Sequence, residues 1–141
     1  MRQPRLFAAL FLALAGCLLA GCGAKQNLAD AQQAVVQFHQ RLDNAEFDTI
    51  YNEADPRFRA ASPQSEFLPF ITAVHKKLGN VVTASRGGFN MNLDTSGLQI
   101  RLNYSTKFTG GAAEEQFIWA KNGGKLQLLG YHINSMALIV K

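Results

Sequence analysis

Beyond residue 26 the chain carries two hydrophobic periods, one after the other. Leu28, Ala31, Val35, Phe38 and Leu42 recur at spacings of three and four, which marks one apolar face of a helix. Asn27, with Asp30 three residues on, reads as its N-cap, and the pattern ends near Asn44. Phe47, Ile50, Tyr51 and Ala54 form a second, shorter stripe. Asp55-Pro56 is a capping residue followed by proline at the first helical position, so a short helical turn should carry Phe58. Ser62-Pro63 repeats that signal. Phe67, Phe70, Ile71, Val74 and Leu78 then make a third stripe, closed by Gly79. Pro69 conflicts with an unbroken helix from Ser62 and predicts a kink, or a start nearer Ser65.

After Gly79 the period becomes two. Val81 to Leu93 is strand-like, with a bulge or bend expected at Gly87-Gly88. Asp94 to Gly97 is a turn. Leu98, Ile100, Leu102, Tyr104, Thr106 and Phe108 then alternate with polar residues, which predicts a strand with one buried and one wet face. Gly110-Gly111 turns the chain into a third strand, Glu114 to Lys121. Asn122-Gly123-Gly124 is a hairpin turn, and Lys125 to Ser135 a fourth strand. The fold class is therefore α+β, with N-terminal helices packed on a curved four-stranded antiparallel meander. Leu102, Phe108, Phe38 and Phe67 should meet in the core.

The last two strands are apolar on both faces. Phe117 and Trp119 point one way, Ile118 and Ala120 the other. By simple alternation Leu126 and Leu128 oppose Leu129, Tyr131 and Ile133; the turn at Asn122 could hold two or three residues, and one residue changes which sets meet, but either register leaves apolar side chains on both faces. The second face therefore needs a cover. The apolar tail Met136 to Val140 is expected to supply part of it, with a weak homodimer or an envelope protein as a further cover.

The first residues differ from all this. Arg2 and Arg5 precede a run from Leu6 to Cys22 made only of Leu, Phe, Ala, Gly and Cys. A spanning helix needs about 20 apolar residues, and this run is shorter; its basic start and small-residue end read as a secretory signal peptide. Leu19-Ala20-Gly21-Cys22 resembles a lipobox, in which bacterial lipoproteins are cleaved before a cysteine that is then acylated. Leu14-Ala15-Gly16-Cys17 is a second match. Processing there would leave Cys22 as a free thiol in an oxidising compartment and would shorten the apolar run, so Cys22 is the expected lipid attachment. The organisation is then residues 1–21 as signal peptide, 22–26 as a short tether and 27–141 as a single domain. Four residues of tether reach under about 15 Å, which holds the domain near the bilayer. In lipoproteins of this kind Asp after the cysteine favours the inner membrane. Gly23 therefore points to the outer membrane, with the domain facing the periplasm.

The formal charge of +4 includes Arg2 and Arg5. Their removal halves it, and Lys76-Lys77 is the longest basic run left, so nucleic acid is not an expected partner. One lipidated cysteine leaves no disulfide.

Phe47 with Ile50-Tyr51, Asp55-Pro56-Arg57-Phe58-Arg59, Ser65-Glu66-Phe67, Lys77-Leu78-Gly79, Tyr104 to Phe108, Glu115 and Gly130-Tyr131-His132 together resemble small bacterial envelope-protein families of unknown function. The resemblance implies the cystatin-like cone of nuclear transport factor 2. Where those families commonly carry Trp after the last hairpin turn, this chain has Leu126. They supply no catalytic residues to carry over.

The chemistry-bearing side chains are few. His39, His75 and His132 lack metal-ligand spacing, and no cofactor motif is present. His39 and Asp43, four apart, read as a surface pair. His132 could reach a cavity from the last strand. Glu114 and Glu115 must point to opposite faces and cannot form one acid–base pair; each reads first as a solvated carboxylate or a strand-end ion pair. Tyr104, Trp119, Tyr131 and His132 are the candidate lining of a cone cavity suited to a small apolar ligand. The expected function is non-catalytic binding of such a ligand or of an envelope protein. The alternative is an isomerase- or hydrolase-type enzyme using the same cavity.

Overall fold

The computed structural model describes residues 8–140, with side chains from Cys22 onward. Helix α1 runs Ala8–Asp43, followed by α2 (Phe47–Asn52), α3 (Pro56–Ala61) and α4 (Gln64–Leu78). Four strands follow, β1 (Val81–Asp94), β2 (Gly97–Phe108), β3 (Gly111–Asn122) and β4 (Lys125–Asn134), and a last short helix, α5 (Met136–Ile139). The sheet is an open antiparallel meander in the order β1-β2-β3-β4, so the α+β class read from the sequence holds.

Contacts divide the chain between Asp30 and Ala31. The described part of the first unit is helical throughout. The tether expected over residues 22–26 and the N-cap expected at Asn27 are not seen, because α1 passes through both. The Leu- and Ala-rich run before them is a strong helix former, and Asn27 can cap only where a helix starts. Residues 1–7 lie outside the described residues, as do the side chains of the two lipobox matches before Cys22. Among the described residues no helix is long and apolar enough to cross a membrane.

The second unit is built from the periods read above. Ala31, Val35, Phe38 and Leu42 of α1 are buried, as are Phe67, Ile71, Val74 and Leu78 of α4. They meet Ile100, Leu102, Tyr104 and Phe108 of β2 and Phe117 and Trp119 of β3, all buried. The Phe38 ring lies 5.1 Å from that of Phe117 and 4.8 Å from that of Tyr131. Each such buried ring contributes about 1.5–3 kcal/mol. Asp55 caps α3 as expected, accepting from the Arg57 N–H. Ser62 does not cap α4; it ends α3, and α4 begins at Gln64. Pro69 stays inside α4, where it forgoes one helical hydrogen bond.

Gly123-Gly124 makes a two-residue turn, with Asn122 opposite Lys125. The simple alternation expected on β4 fails at Leu129. Trp119 pairs with Leu128 and Ile118 with Gly130, so Leu129 is an extra residue in a bulge. That bulge puts both Leu128 and Tyr131 on the helix-facing side. Gly130 faces outward, and the Ile118 side chain lies 3.1 Å from where its Cβ would be.

The tail is not the expected cover of the outer face. Ser135 caps α5 and gives its hydroxyl to the Ala112 carbonyl, while Lys77 Nζ donates to the Leu138 carbonyl. These bonds hold the tail at the Gly111 end of β3, with Met136, Ile139 and Val140 exposed. The outer face is instead half-covered by its own side chains, Gln116, Ile118 and Leu129 among them.

Candidate functional site: a buried carboxylate between helix and sheet

Four elements deliver one polar cluster into the core. Glu115 sits on the buried parity of β3, with Ala113, Phe117 and Trp119. Thr106 holds the same place on β2, between Tyr104 and Phe108. Tyr131 reaches in from β4 and His39 from α1, beside Phe38 on the apolar face of that helix.

The geometry converges on the Glu115 carboxylate. Its Oε2 lies 2.8 Å from His39 Nε2 and accepts from the Thr106 hydroxyl at 2.6 Å. Its Oε1 accepts from the Tyr131 hydroxyl at 2.6 Å. Glu115 is 2 % exposed and His39 6 %. The rings of Tyr104, Phe108 and Phe117 stand edge-on around the imidazole. Burial raises the Tyr131 phenol well above the ordinary tyrosine range, and the adjacent Glu115 charge raises it further. Tyr131 therefore stays a neutral donor. A lone carboxylate here would be costly to bury; three donors on two oxygens make it tolerable.

This corrects two expectations. Glu115 is not solvated, because its partners are all inside. His39 and Asp43 do not form a surface pair. His39 turns inward, and the Asp43 carboxylate accepts the Val81 N–H, tying α1 to the start of β1. The signal was present in the pattern. His39 falls four residues after Val35 on the apolar stripe, and Glu115 shares its parity with Phe117 and Trp119.

The candidate cavity residues divide. Tyr104, Trp119 and Tyr131 are buried on the helix-facing side. Burial raises the Tyr104 phenol as well, against the opposing charge of Arg86 and a bond to Gln32. Trp119 stacks parallel to Phe117, and its indole N–H is buried with no hydrogen-bond partner. His132 is exposed on the outer face, beside Asn103, Glu114 and Gln116. It stands away from the other three because it is one residue past Tyr131 on a strand. Cys22 is exposed. Among the described residues no group of His, Cys, Asp and Glu is placed to hold a metal ion.

A second cluster ties the opposite end of the helical layer to the sheet. The Asp55 carboxylate accepts from the Arg57 N–H and guanidinium at 2.8–3.0 Å and from Asn122 Nδ2 at 2.6 Å. Its own N–H donates to the Leu128 carbonyl. The Arg57 bonds hold its carboxyl far below the usual carboxylate range, against the opposing effect of burial, with Asn122 adding to them.

No protein-family model and no curated protein sequence matches this chain.

Proposed function

We propose that this chain is a lipid-anchored domain of the bacterial envelope, attached through Cys22 and facing the periplasm from the outer membrane, that works by binding an envelope protein and not by catalysis. One observation carries the non-catalytic reading. Both oxygens of the Glu115 carboxylate already accept hydrogen bonds, from Thr106, Tyr131 and His39. A general base there would have to work from an oxygen that already holds a donor. The rings of Phe38, Phe117 and Tyr131 fill the space beside it, which favours a surface partner over an enclosed substrate.

The anchor rests on the lipobox pattern and on the exposure of Cys22. Labelling cells with a radioactive fatty acid tests it. Cys22→Ala should abolish incorporation and leave precursor, and Cys17→Ala should change neither. Label that survives Cys22→Ala and disappears in Cys17→Ala moves the attachment to Cys17.

Binding of a small, mostly apolar ligand has its own support, the unpartnered indole N–H of Trp119, which would take one acceptor on that ligand. Native mass spectrometry of the acylated chain distinguishes the two. A retained small molecule, lost in Trp119→Phe, would replace the protein-binding reading.

A further inference from the structure

β1 is an edge strand, and of its residues only Val81 and Met91 are even partly covered. Val82 is 54 % exposed, Phe89 49 % and Leu93 76 %. A long strand edge with apolar side chains is a template for another strand unless something blunts it. β1 has one cation, Arg86, and that lies over its own neighbour, 5.2 Å from the Phe89 ring centre.

The pairing with β2 fixes which side chains share a face. Ala84, Arg86, Phe89, Met91 and Leu93 pair with Thr106, Tyr104, Leu102, Ile100 and Leu98, on the helix-facing side. Thr83, Ser85, Asn90 and Asn92 pair with outward residues of β2. Arg86 and Phe89 share a face despite their odd spacing because the bulge at Gly87-Gly88 lies between them.

That arrangement is self-complementary. Turned about an axis between Gly87 and Gly88 and laid antiparallel on a second copy, β1 sets Arg86 against Phe89 and Ala84 against Met91 on one side. On the other side Ser85 meets Asn90 and Thr83 meets Asn92. Apolar residues and the cation–π pair fall together, polar residues fall together, and no like charges are opposed. In a regular strand an axis between two residues would put opposed side chains on different faces. The bulge removes that conflict.

The two glycines give an independent sign. Neither lies at positive φ, and a Cβ on either would meet nothing nearer than 3.7 Å. The single chain therefore sets no demand for glycine at either position. Close approach of a second backbone is one reason for glycine in a strand.

We propose that two copies of this chain pair β1 to β1, antiparallel about a two-fold axis at Gly87-Gly88, to form one continuous eight-stranded sheet. The contact is isologous and closes as a dimer. The inference stands on β1 alone and does not depend on the anchor.

Cysteine cross-linking of the purified full chain in detergent tests it, read against the parent chain as background for Cys17 and Cys22. Ala84→Cys/Met91→Cys should form a disulfide-linked dimer on mild oxidation, since residues 84 and 91 are too far apart within one strand to close on themselves. Ser85→Cys/Leu93→Cys, off register, should stay at the parent level. Gly87→Val/Gly88→Val should shift the parent dimer to monomer in sedimentation without changing the near-ultraviolet circular dichroism. A parent chain that sediments as a monomer at every concentration overturns the proposal. So does cross-linking equal in the two cysteine pairs. In cells, a cross-link from Ala84→Cys/Met91→Cys to a different protein, with none to a second copy, also overturns it.

Discussion

Glu115 Oε2 stands 2.8 Å from His39 Nε2, across 76 positions of sequence. The first helix is thereby fixed to the third strand by a polar contact inside an apolar layer. A buried pair of this kind adds little net stability when intact and costs much when one partner is removed. Glu115→Gln keeps the size but removes the charge and presents an amide to three donors. It should lower stability by about 2–3 kcal/mol, seen as a drop in the urea midpoint with an unchanged slope. A variant as stable as the parent would mean that the cluster is not formed in solution.

Tyr131 adds a pH signature to the same cluster. Its phenol is raised by burial and by Glu115, so the folded chain keeps the proton that the unfolded chain releases near pH 10. The stability it contributes is complete below that pH and declines as pH rises past it. Tyr131→Phe should cost about 2 kcal/mol at pH 8, and the gap to the parent should narrow toward pH 11. Thermal melts at the two pH values decide this. A gap that widens in alkali contradicts the assignment of the raised phenol to Tyr131.

Phe38 tests the helix face that carries His39. It is 3 % exposed and touches Phe117 and Tyr131. Phe38→Ala should destabilise by about 3–5 kcal/mol. A loss under about one kilocalorie, by the same urea titration, would place another face of α1 against the sheet.

The order of elements was legible because period is a local property. The step from threes and fours to twos at Gly79 marks where helices give way to strands, and Asp55-Pro56 marks α3 to the residue. Leu102, Phe108, Phe38 and Phe67 were assigned to the core from period alone and are all buried. The bulge at Leu129 was not legible. Nothing in Leu126 to Ile133 distinguishes a strand that slips one residue from one that does not; only the need to bury both Leu128 and Tyr131 selects it. The cluster at Glu115 was half legible. Parity placed Thr106 on the apolar face; the same parity with Phe117 and Trp119 was there to place Glu115, and the spacing from Val35 to place His39, but both were read as solvent-facing. Type alone suggested solvent for a carboxylate and a histidine. Their partners come from different elements, and partners are what make such burial tolerable. His132 shows the converse: a histidine beside a buried tyrosine falls outside because strands alternate.

Asp55 carries the acid-side counterpart of Tyr131. Its carboxylate accepts from Arg57 and Asn122, and the Arg57 bonds in particular hold its proton affinity far below that of an exposed aspartate. An unfolded chain takes up that proton near pH 4, while the folded chain resists until a much lower pH. The stability Asp55 contributes is thus complete above about pH 4–5 and is lost as pH falls through the region below. Asp55→Asn keeps a capping side chain for α3 but removes the charge from the guanidinium. It should cost about 2–3 kcal/mol at pH 7, and the difference from the parent should shrink by pH 3, where the parent is losing the same contribution. Urea midpoints at pH 7 and pH 3 measure it. The position of Asp55 gives the loss a location as well. Its N–H holds the Leu128 carbonyl and its carboxylate holds Asn122, so the variant should loosen the last hairpin before the rest of the sheet. Hydrogen exchange should then quicken at the amides of residues 122–128 and leave those of β2 unchanged. A gap that stays constant between the two pH values, or exchange that quickens evenly across the sheet, would show that Asp55 is a cap for α3 and nothing more.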